Sequence, residues 1–284
     1  MIHVENLRYT YPGKTEEVLK GISFRIDEGE IFGFLGPSGA GKSTTQKTLI
    51  GILKDYKGTV QVAGQDISAV DGSFYNDIGV SFELPNLYSR LTGRENLEFF
   101  ASLYKGNTQN PLSLLTRLNL EDAADTKVND YSKGMKMRLN FCRALVHDPR
   151  IVFLDEPTSG LDPVNAKRVK DIILELKARG KTIILTTHNM NVADELCDRV
   201  AFINEGELAL IDSPRALKIE KGEKSLRLEY REDGRTGARD FLLQGLGENT
   251  DFLKLLKEKE IETIHSKEAS LEDIFIRTTG RGLL

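Results

Sequence analysis

Apolar and polar positions alternate over residues 2–7 and again over 19–26, where Leu19, Ile22, Phe24 and Ile26 share one face. Period-two alternation predicts sheet with one covered side. The next run, Ile31-Phe32-Gly33-Phe34-Leu35, is continuously apolar, as a strand buried on both faces requires. Residues 44–53 fit a helix, and short strands are expected around 58–62 and 78–82. From about 85 to 149 the periodicity turns helical. Thr92-Gly93-Arg94-Glu95 has capping-box spacing and opens the apolar positions Leu97, Phe99, Phe100 and Leu103. Further helices are expected over 111–120 and from Ser132 to about His147.

Strands and helices then alternate again: a strand over 150–154, a helix over 163–179, a strand over 182–186, a helix after Asn189, and a hairpin of 199–203 with 207–211. Such alternation around apolar strands is the pattern of a parallel-sheet α/β core, with the helical stretch 85–149 as an insertion. The pattern breaks once more after about Lys218. Alternating Leu226, Leu228 and Tyr230, a turn over 233–237, a strand over 241–243, a helix over 251–259, a strand over 261–265 and a helix from Ser270 predict a small α+β appendix. The domains are therefore expected at 1–218 and 219–284.

Composition narrows the function. The 284 residues carry 39 Lys plus Arg against 43 Asp plus Glu, a net charge of −4, which gives no electrostatic case for a nucleic-acid partner. No apolar run approaches the roughly 20 residues of a membrane-spanning helix. The start, MIHVENLRYT, has no basic stretch followed by an apolar segment, so a cytoplasmic location with only peripheral membrane contact is expected. The two cysteines, Cys142 and Cys197, lack metal-ligand spacing.

The chemistry concentrates in a few short segments. Gly36-Pro37-Ser38-Gly39-Ala40-Gly41-Lys42-Ser43 matches G-x-x-x-x-G-K-[ST] between a predicted strand and a predicted helix that begins with Thr44. In that setting successive backbone N–H groups and the positive end of the helix face a phosphate. Lys42 is expected at the β- and γ-phosphates and Ser43 at Mg²⁺. Ile151-Val152-Phe153-Leu154-Asp155-Glu156 is an apolar strand that delivers two carboxylates to its C-terminal end, where ligands of open α/β sheets sit. Asp155 would hold Mg²⁺, directly or through water, and Glu156 would polarise the attacking water.

With these segments the chain resembles the nucleotide-binding subunits of ATP-binding cassette (ABC) transporters. The family's signature segment, normally LSGGQ, reads Tyr131-Ser132-Lys133-Gly134-Met135 here. The resemblance implies that Ser132 and Gly134 touch ATP held by the opposite subunit. It places Asp162 of Ser159-Gly160-Leu161-Asp162 in the D-loop and His188 at the switch position, with Lys42, Glu156 and His188 as the catalytic set. Tyr11 falls where the family stacks an aromatic ring on adenine, with Tyr9 as a competitor. Glu83, in Phe82-Glu83-Leu84-Pro85, takes the place of the Q-loop glutamine. A glutamate keeps the oxygen for Mg²⁺ but adds a charge that only a nearby cation offsets.

The resemblance covers roughly residues 1–218. It implies a P-loop NTPase core with a mainly parallel sheet, an antiparallel β subdomain, an inserted helical subdomain and the C-terminal appendix. It also implies an ATPase whose two copies close over ATP and Mg²⁺, a homodimer in preference to a heterodimer. A separate transmembrane permease is the expected partner, at the cytoplasmic face of the membrane. Glu83, Lys133 and the segment Ala269-Ser270-Leu271-Glu272-Asp273-Ile274-Phe275 resemble the branch serving ABC-2 type exporters of drugs, antibiotics or polysaccharides. Two rivals stand beside this reading: a soluble ATP switch acting on ribosomes or nucleic acid, and an accessory cassette that binds ATP without turnover.

Overall fold

The computed structural model describes residues 1–232 and 234–280. They divide into two compact units, residues 1–211 and residues from 212 onward.

The first unit begins with β1 (Ile2–Tyr9) and β2 (Leu19–Ile26), which pair antiparallel with Ile2 opposite Ile26 and Tyr9 opposite Leu19. The continuous apolar strand β3 (Ile31–Leu35) is buried at every position. Helix α1 (Lys42–Leu49) follows, beginning two residues ahead of the expected start because the phosphate-loop lysine already lies in its first turn. β4 (Lys57–Val62) and β5 (Gln65–Asp66) complete a four-stranded antiparallel sheet of order β2-β1-β4-β5.

β6 (Ile78–Ser81) leads into the inserted helices α2 (Gly93–Ser102), α3 (Pro111–Arg117) and α4 (Lys133–Leu145). The capping box read from Thr92 and Glu95 is formed: Thr92 accepts from Glu95 N, and the Glu95 carboxylate accepts from Thr92 N. β7 (Ile151–Asp155), α5 (Pro163–Ala178), β8 (Thr182–Thr187), α6 (Met190–Leu196), β9 (Arg199–Asn204) and β10 (Glu207–Asp212) follow. The main sheet has the order β10-β9-β3-β8-β7-β6, and the β9–β3, β3–β8, β8–β7 and β7–β6 pairs are parallel. The expected parallel core with its antiparallel companion sheet is therefore present. Ile151, Phe153, Ile184, Phe32 and Phe34 pack with Leu49 and the β1–β2 side chains in one apolar core. Each such side chain withdrawn from water contributes roughly 1.5–3 kcal/mol.

The second unit holds α7 (Pro214–Glu220), the sheet of β11 (Ser225–Glu232), β12 (Arg235–Leu242) and β13 (Glu260–Lys267), α8 (Thr250–Glu258) and α9 (Leu271–Thr279). Strand order is β12-β11-β13, antiparallel throughout. Helix α7 packs against α9, so the break precedes α7 instead of following Lys218. The turn expected over 233–237 is shorter, because Arg235 and Gly237 already pair with Glu232 and Tyr230. Its Asp233 lies outside the described residues, as do 281–284.

Candidate functional site

Sheet register assembles the site. Leu35 pairs with Thr187 and Asp155 with Thr186, so β3, β7 and β8 end level. The loop of residues 36–41, Glu156 and His188 therefore leave the sheet at one edge, where open parallel sheets bind ligands.

Gly36 is demanded by a close approach: a Cβ there would lie 2.1 Å from the Ile203 carbonyl oxygen. Gly41 caps α1 in a left-handed conformation and has no side chain to bond the first-turn N–H groups. The helix N-terminus is thus left to an outside acceptor. Lys42 folds back across this loop, its Nζ donating to the carbonyls of Gly36 (2.6 Å) and Pro37 (2.9 Å). Burial pushes the lysine pKa down, while the carboxylates of Glu156, Asp155 and Glu83 oppose that shift. The buried ammonium and the free N–H groups of the loop can hold a phosphate, and the three carboxylates near Lys42 require that a cation accompany it. Pro37, Ser38, Gly39 and Ala40 complete the loop, and Thr44 is buried one residue after Ser43.

Asp155 is buried, and burial raises its carboxyl above the ordinary range. A hydrogen bond from the Thr186 hydroxyl counteracts the rise, Glu156 adds to it, and Ser43 and Lys42 pull it back. Ser43 Oγ donates to Asp155 Oδ2 at 3.4 Å. A hydroxyl beside a desolvated carboxylate is a hard-oxygen pair that suits Mg²⁺, which is usually held by one or two protein oxygens together with substrate phosphates. Among the described residues no group of three or more His, Cys, Asp or Glu side chains could hold a metal unaided.

Glu156 is only 8% exposed, and its backbone is left-handed, with φ of 48°. For a non-glycine residue that conformation costs on the order of 1–3 kcal/mol and recurs at functional sites. The strand's own ending imposes it: Glu156 N donates to Thr186 O (2.9 Å), and Ser159 N donates back to Glu156 O (3.0 Å). Its Oε2 accepts from Thr187 Oγ1 at 2.9 Å, and its Oε1 accepts from His188 N at 2.8 Å. His188 Nδ1 lies 2.7 Å from the same Oε1, and the imidazole is largely exposed. With Nδ1 donating to Glu156, Nε2 is left to face solvent or ligand.

The other expected residues divide into two groups. Tyr11 is half-buried and its hydroxyl meets Thr44 Oγ1 at 3.2 Å, whereas Tyr9 is buried against its edge, so Tyr11 is the more accessible ring. Glu83 is exposed on the loop after β6, close enough to Lys42 to act on its charge. Ser132, by contrast, caps α4 by accepting from Met135 N (3.2 Å). Gly134 sits beside the residue 159–162 loop, where a Cβ would meet Gly160 O and Leu161 Cδ2 at 3.6 Å. Asp162 is committed to capping α5, accepting from Val164 N, Asn165 N and Asn165 Nδ2. Those bonds, the Asn165 side chain's first, hold its carboxyl below the usual range. Pro163 at the first helical position was the sequence signal for that cap.

Sequence reasoning missed Thr186, Thr187 and Gln46. The two threonines hold Asp155 and Glu156, and Thr186 Oγ1 also lies 3.3 Å from Gln46 Oε1. Nothing local distinguishes them from strand threonines that merely pack.

Comparison with known proteins agrees with this geometry. Residues 19–159 match the family described as ABC transporter, and residues 224–268 match the fluoroquinolone efflux ABC transporter C-terminal domain. A fluoroquinolones export ATP-binding protein of Mycobacterium tuberculosis (strain ATCC 25618 / H37Rv) is 54% identical over 284 residues, covering 100% of this chain and 94% of that protein. Nod factor export ATP-binding protein I of Burkholderia pseudomallei (strain K96243) is 38% identical over 288 residues, covering 94% and 93%. Among solved structures, the dimeric post-hydrolysis state of the ATP-binding cassette MJ0796 bound to ADP and Pi superposes with a TM-score of 0.70 at 30% identity, covering 75% of this chain and 98% of that one. The chain belongs to the ATP-binding subunits of ABC transporters.

Proposed function

We propose that the chain hydrolyses ATP and couples that reaction to export through a separate transmembrane permease. The carrying observation is the strained, buried Glu156, held by Thr187 and His188 at the sheet edge that also carries Lys42. The loop of residues 36–43 would cradle the β- and γ-phosphates, with Lys42 as its cation and Tyr11 against the adenine. Ser43 and Asp155, with Glu83 approaching on closure, would hold Mg²⁺, whose charge offsets that on the phosphate oxygens. A water in line with the γ-phosphate gives its proton to Glu156 as its oxygen attacks phosphorus, and ADP departs. His188, oriented by the same carboxylate, would meet the γ-phosphate through Nε2.

Two copies would close so that Ser132 and Gly134 of one face the ATP of the other, with the residue 159–162 loops between them, and a homodimer is the preferred assembly. The dimeric ADP- and Pi-bound state of a similar cassette supports the pairing of two copies. Among the described residues no helix is long and apolar enough to cross a membrane. The proposed permease contact is the apolar surface beside the Glu83 loop, where Leu84 is 77% and Leu103 62% exposed next to Tyr88 and Phe99. In this reading the chain works on the cytoplasmic face, and the names of its relatives favour a fluoroquinolone-like drug as cargo.

The test is affinity purification from solubilised membranes, followed by ATPase assays with and without the recovered permease. A polytopic partner that stimulates turnover is expected. Recovery of ribosomal proteins, or nucleotide binding without hydrolysis, would favour the switch or accessory reading.

A further inference from the structure

Helix α4 does more than present Ser132 at its start. Asn140, in its middle, has no exposed surface. A carboxamide buried there is costly unless hydrogen-bonded. Its Nδ2 donates to Ser81 Oγ at 3.0 Å and to the Phe82 carbonyl at 2.8 Å. The Phe82 oxygen can only accept, so it fixes which way the amide points. The consequence is a buried Oδ1 with no donor. The chain thus tolerates an unsatisfied acceptor in order to place two donors on the segment before Glu83.

The next turn of α4 grips the same loop on both sides. Arg143 Nη2 donates to Val80 O (3.1 Å) and Nη1 to Asn86 O (3.0 Å), with the guanidinium over the Phe100 ring. Behind them α4 and β6 lie backbone to backbone, since a Cβ on Gly79 would come within 2.0 Å of Ala144 O. Val80, Ser81, Phe82 and Asn86 are therefore all hung on one helix, while the Glu83 side chain between them is exposed.

We infer that Asn140 is a positioning residue: its amide ties the loop carrying Glu83 to α4, so that the Ser132 end of the helix and Glu83 move as one body. This deepens the proposed function and rests on its assignments of Ser132 and Glu83. Val80, Ser81 and Phe82 offer their backbone and hydroxyl groups whatever helix residue faces them. An alanine or leucine at 140 would pack against them without holding them.

Two measurements on the purified full chain test it. Hydrogen exchange reads the loop directly. Asn140→Leu fills the volume without a donor and should speed exchange over residues 82–87 at least tenfold, with α1 and β7 unchanged. Equal exchange in both proteins overturns the inference, whatever Glu83 does. Steady-state kinetics read the consequence: Asn140→Leu should lower kcat about tenfold with KM for ATP within twofold. Glu83→Gln should then alter kcat in the wild type but by less than a third of that factor in the Asn140→Leu background. The same factor in both backgrounds overturns the coupling. An inert Glu83→Gln in the wild type alongside a loosened loop overturns the Glu83 assignment and leaves the tether standing. Should Asn140→Leu fail to fold, Arg143→Lys, which releases the Asn86 carbonyl but keeps the charge, should loosen residues 82–87 several-fold. Unchanged exchange there counts against the tether.

Discussion

The two compact units differ in what their interiors carry. Residues 1–211 bury Phe32, Phe34, Phe74, Phe141, Phe153 and Phe202 completely. The second unit also buries Phe275, with Ile274 and Leu271, but its sheet rests on only Leu228, Tyr230, Phe241 and Phe252 and the partly buried residues around them. Among the described residues every buried polar or charged side chain belongs to the first unit, Lys42, Asn140, Asp155 and Glu156 included. So does every non-glycine residue with positive φ. In the second unit the charges stay near the surface as pairs such as Arg231–Glu262 (2.9 Å) and Arg277–Glu223 (2.9 Å), and exposed pairs of this kind are worth little. Strain and buried charge each cost free energy, and only a large apolar core can hold them in place. The unit that stores both is the unit with the candidate chemistry.

The largest expected effect tests that link. Glu156→Gln keeps the shape of the side chain and removes the base, so kcat should fall about 10²–10⁴-fold. Calorimetric ATP affinity should hold, and the ATP-bound dimer should accumulate in size-exclusion chromatography. Wild-type turnover would separate the buried carboxylate from the chemistry.

A change in the second unit should do the opposite. Phe252→Ala removes a ring that packs edge-on against Phe241 (5.3 Å between centroids) and should destabilise that unit by about 3–5 kcal/mol. Differential scanning calorimetry should show one transition moving down, while ATP affinity and basal turnover of the chain stay as they were. A parallel loss of nucleotide binding would mean that the two interiors are energetically one.

The smallest effect concerns the buried carboxylate that has no net stabilising role without nucleotide. Burial raises the Asp155 pKa in the folded chain, so the ionised form is penalised on folding. The penalty is absent below the unfolded-state value of about 4, develops as pH rises through the folded-state value, and is complete above it. Asp155→Asn should therefore raise the nucleotide-free Tm at neutral pH by roughly 2–4 °C per kcal/mol relieved, and the gain should shrink toward pH 4. Magnesium-dependent nucleotide stabilisation should be weakened in the same variant. A lower Tm at neutral pH would show that the Thr186 and Ser43 hydrogen bonds outweigh desolvation.

What could be read without coordinates was what acts within a few residues. Period-two alternation marked β1 and β2. The apolar run marked β3, the Thr92 and Ser132 caps marked α2 and α4, and the glycine-rich spacing marked the loop that closes on Lys42. Caps and phosphate loops are local constraints on φ and ψ, so they leave local signatures. Helix α7 was not legible at all, and the boundary expected at 218 cuts through it, because a short helix leaves a weak periodicity that does not show what covers it. Asp162, expected in the D-loop from the resemblance alone, is bound to Val164 N and Asn165 N as a cap, which Pro163 signalled locally.

Neighbouring residues were enough to specify the long core strands, the phosphate loop and the paired carboxylates at a strand end. Tertiary structure alone decided that Thr187 would hold Glu156, that Gly79 would admit the Ala144 carbonyl, and that Asn140 would reach Phe82. Those partners lie tens of residues apart, and their meeting is set by strand register and helix docking. Register and docking are chosen by burial summed over the whole core, a quantity that no short window of the chain contains.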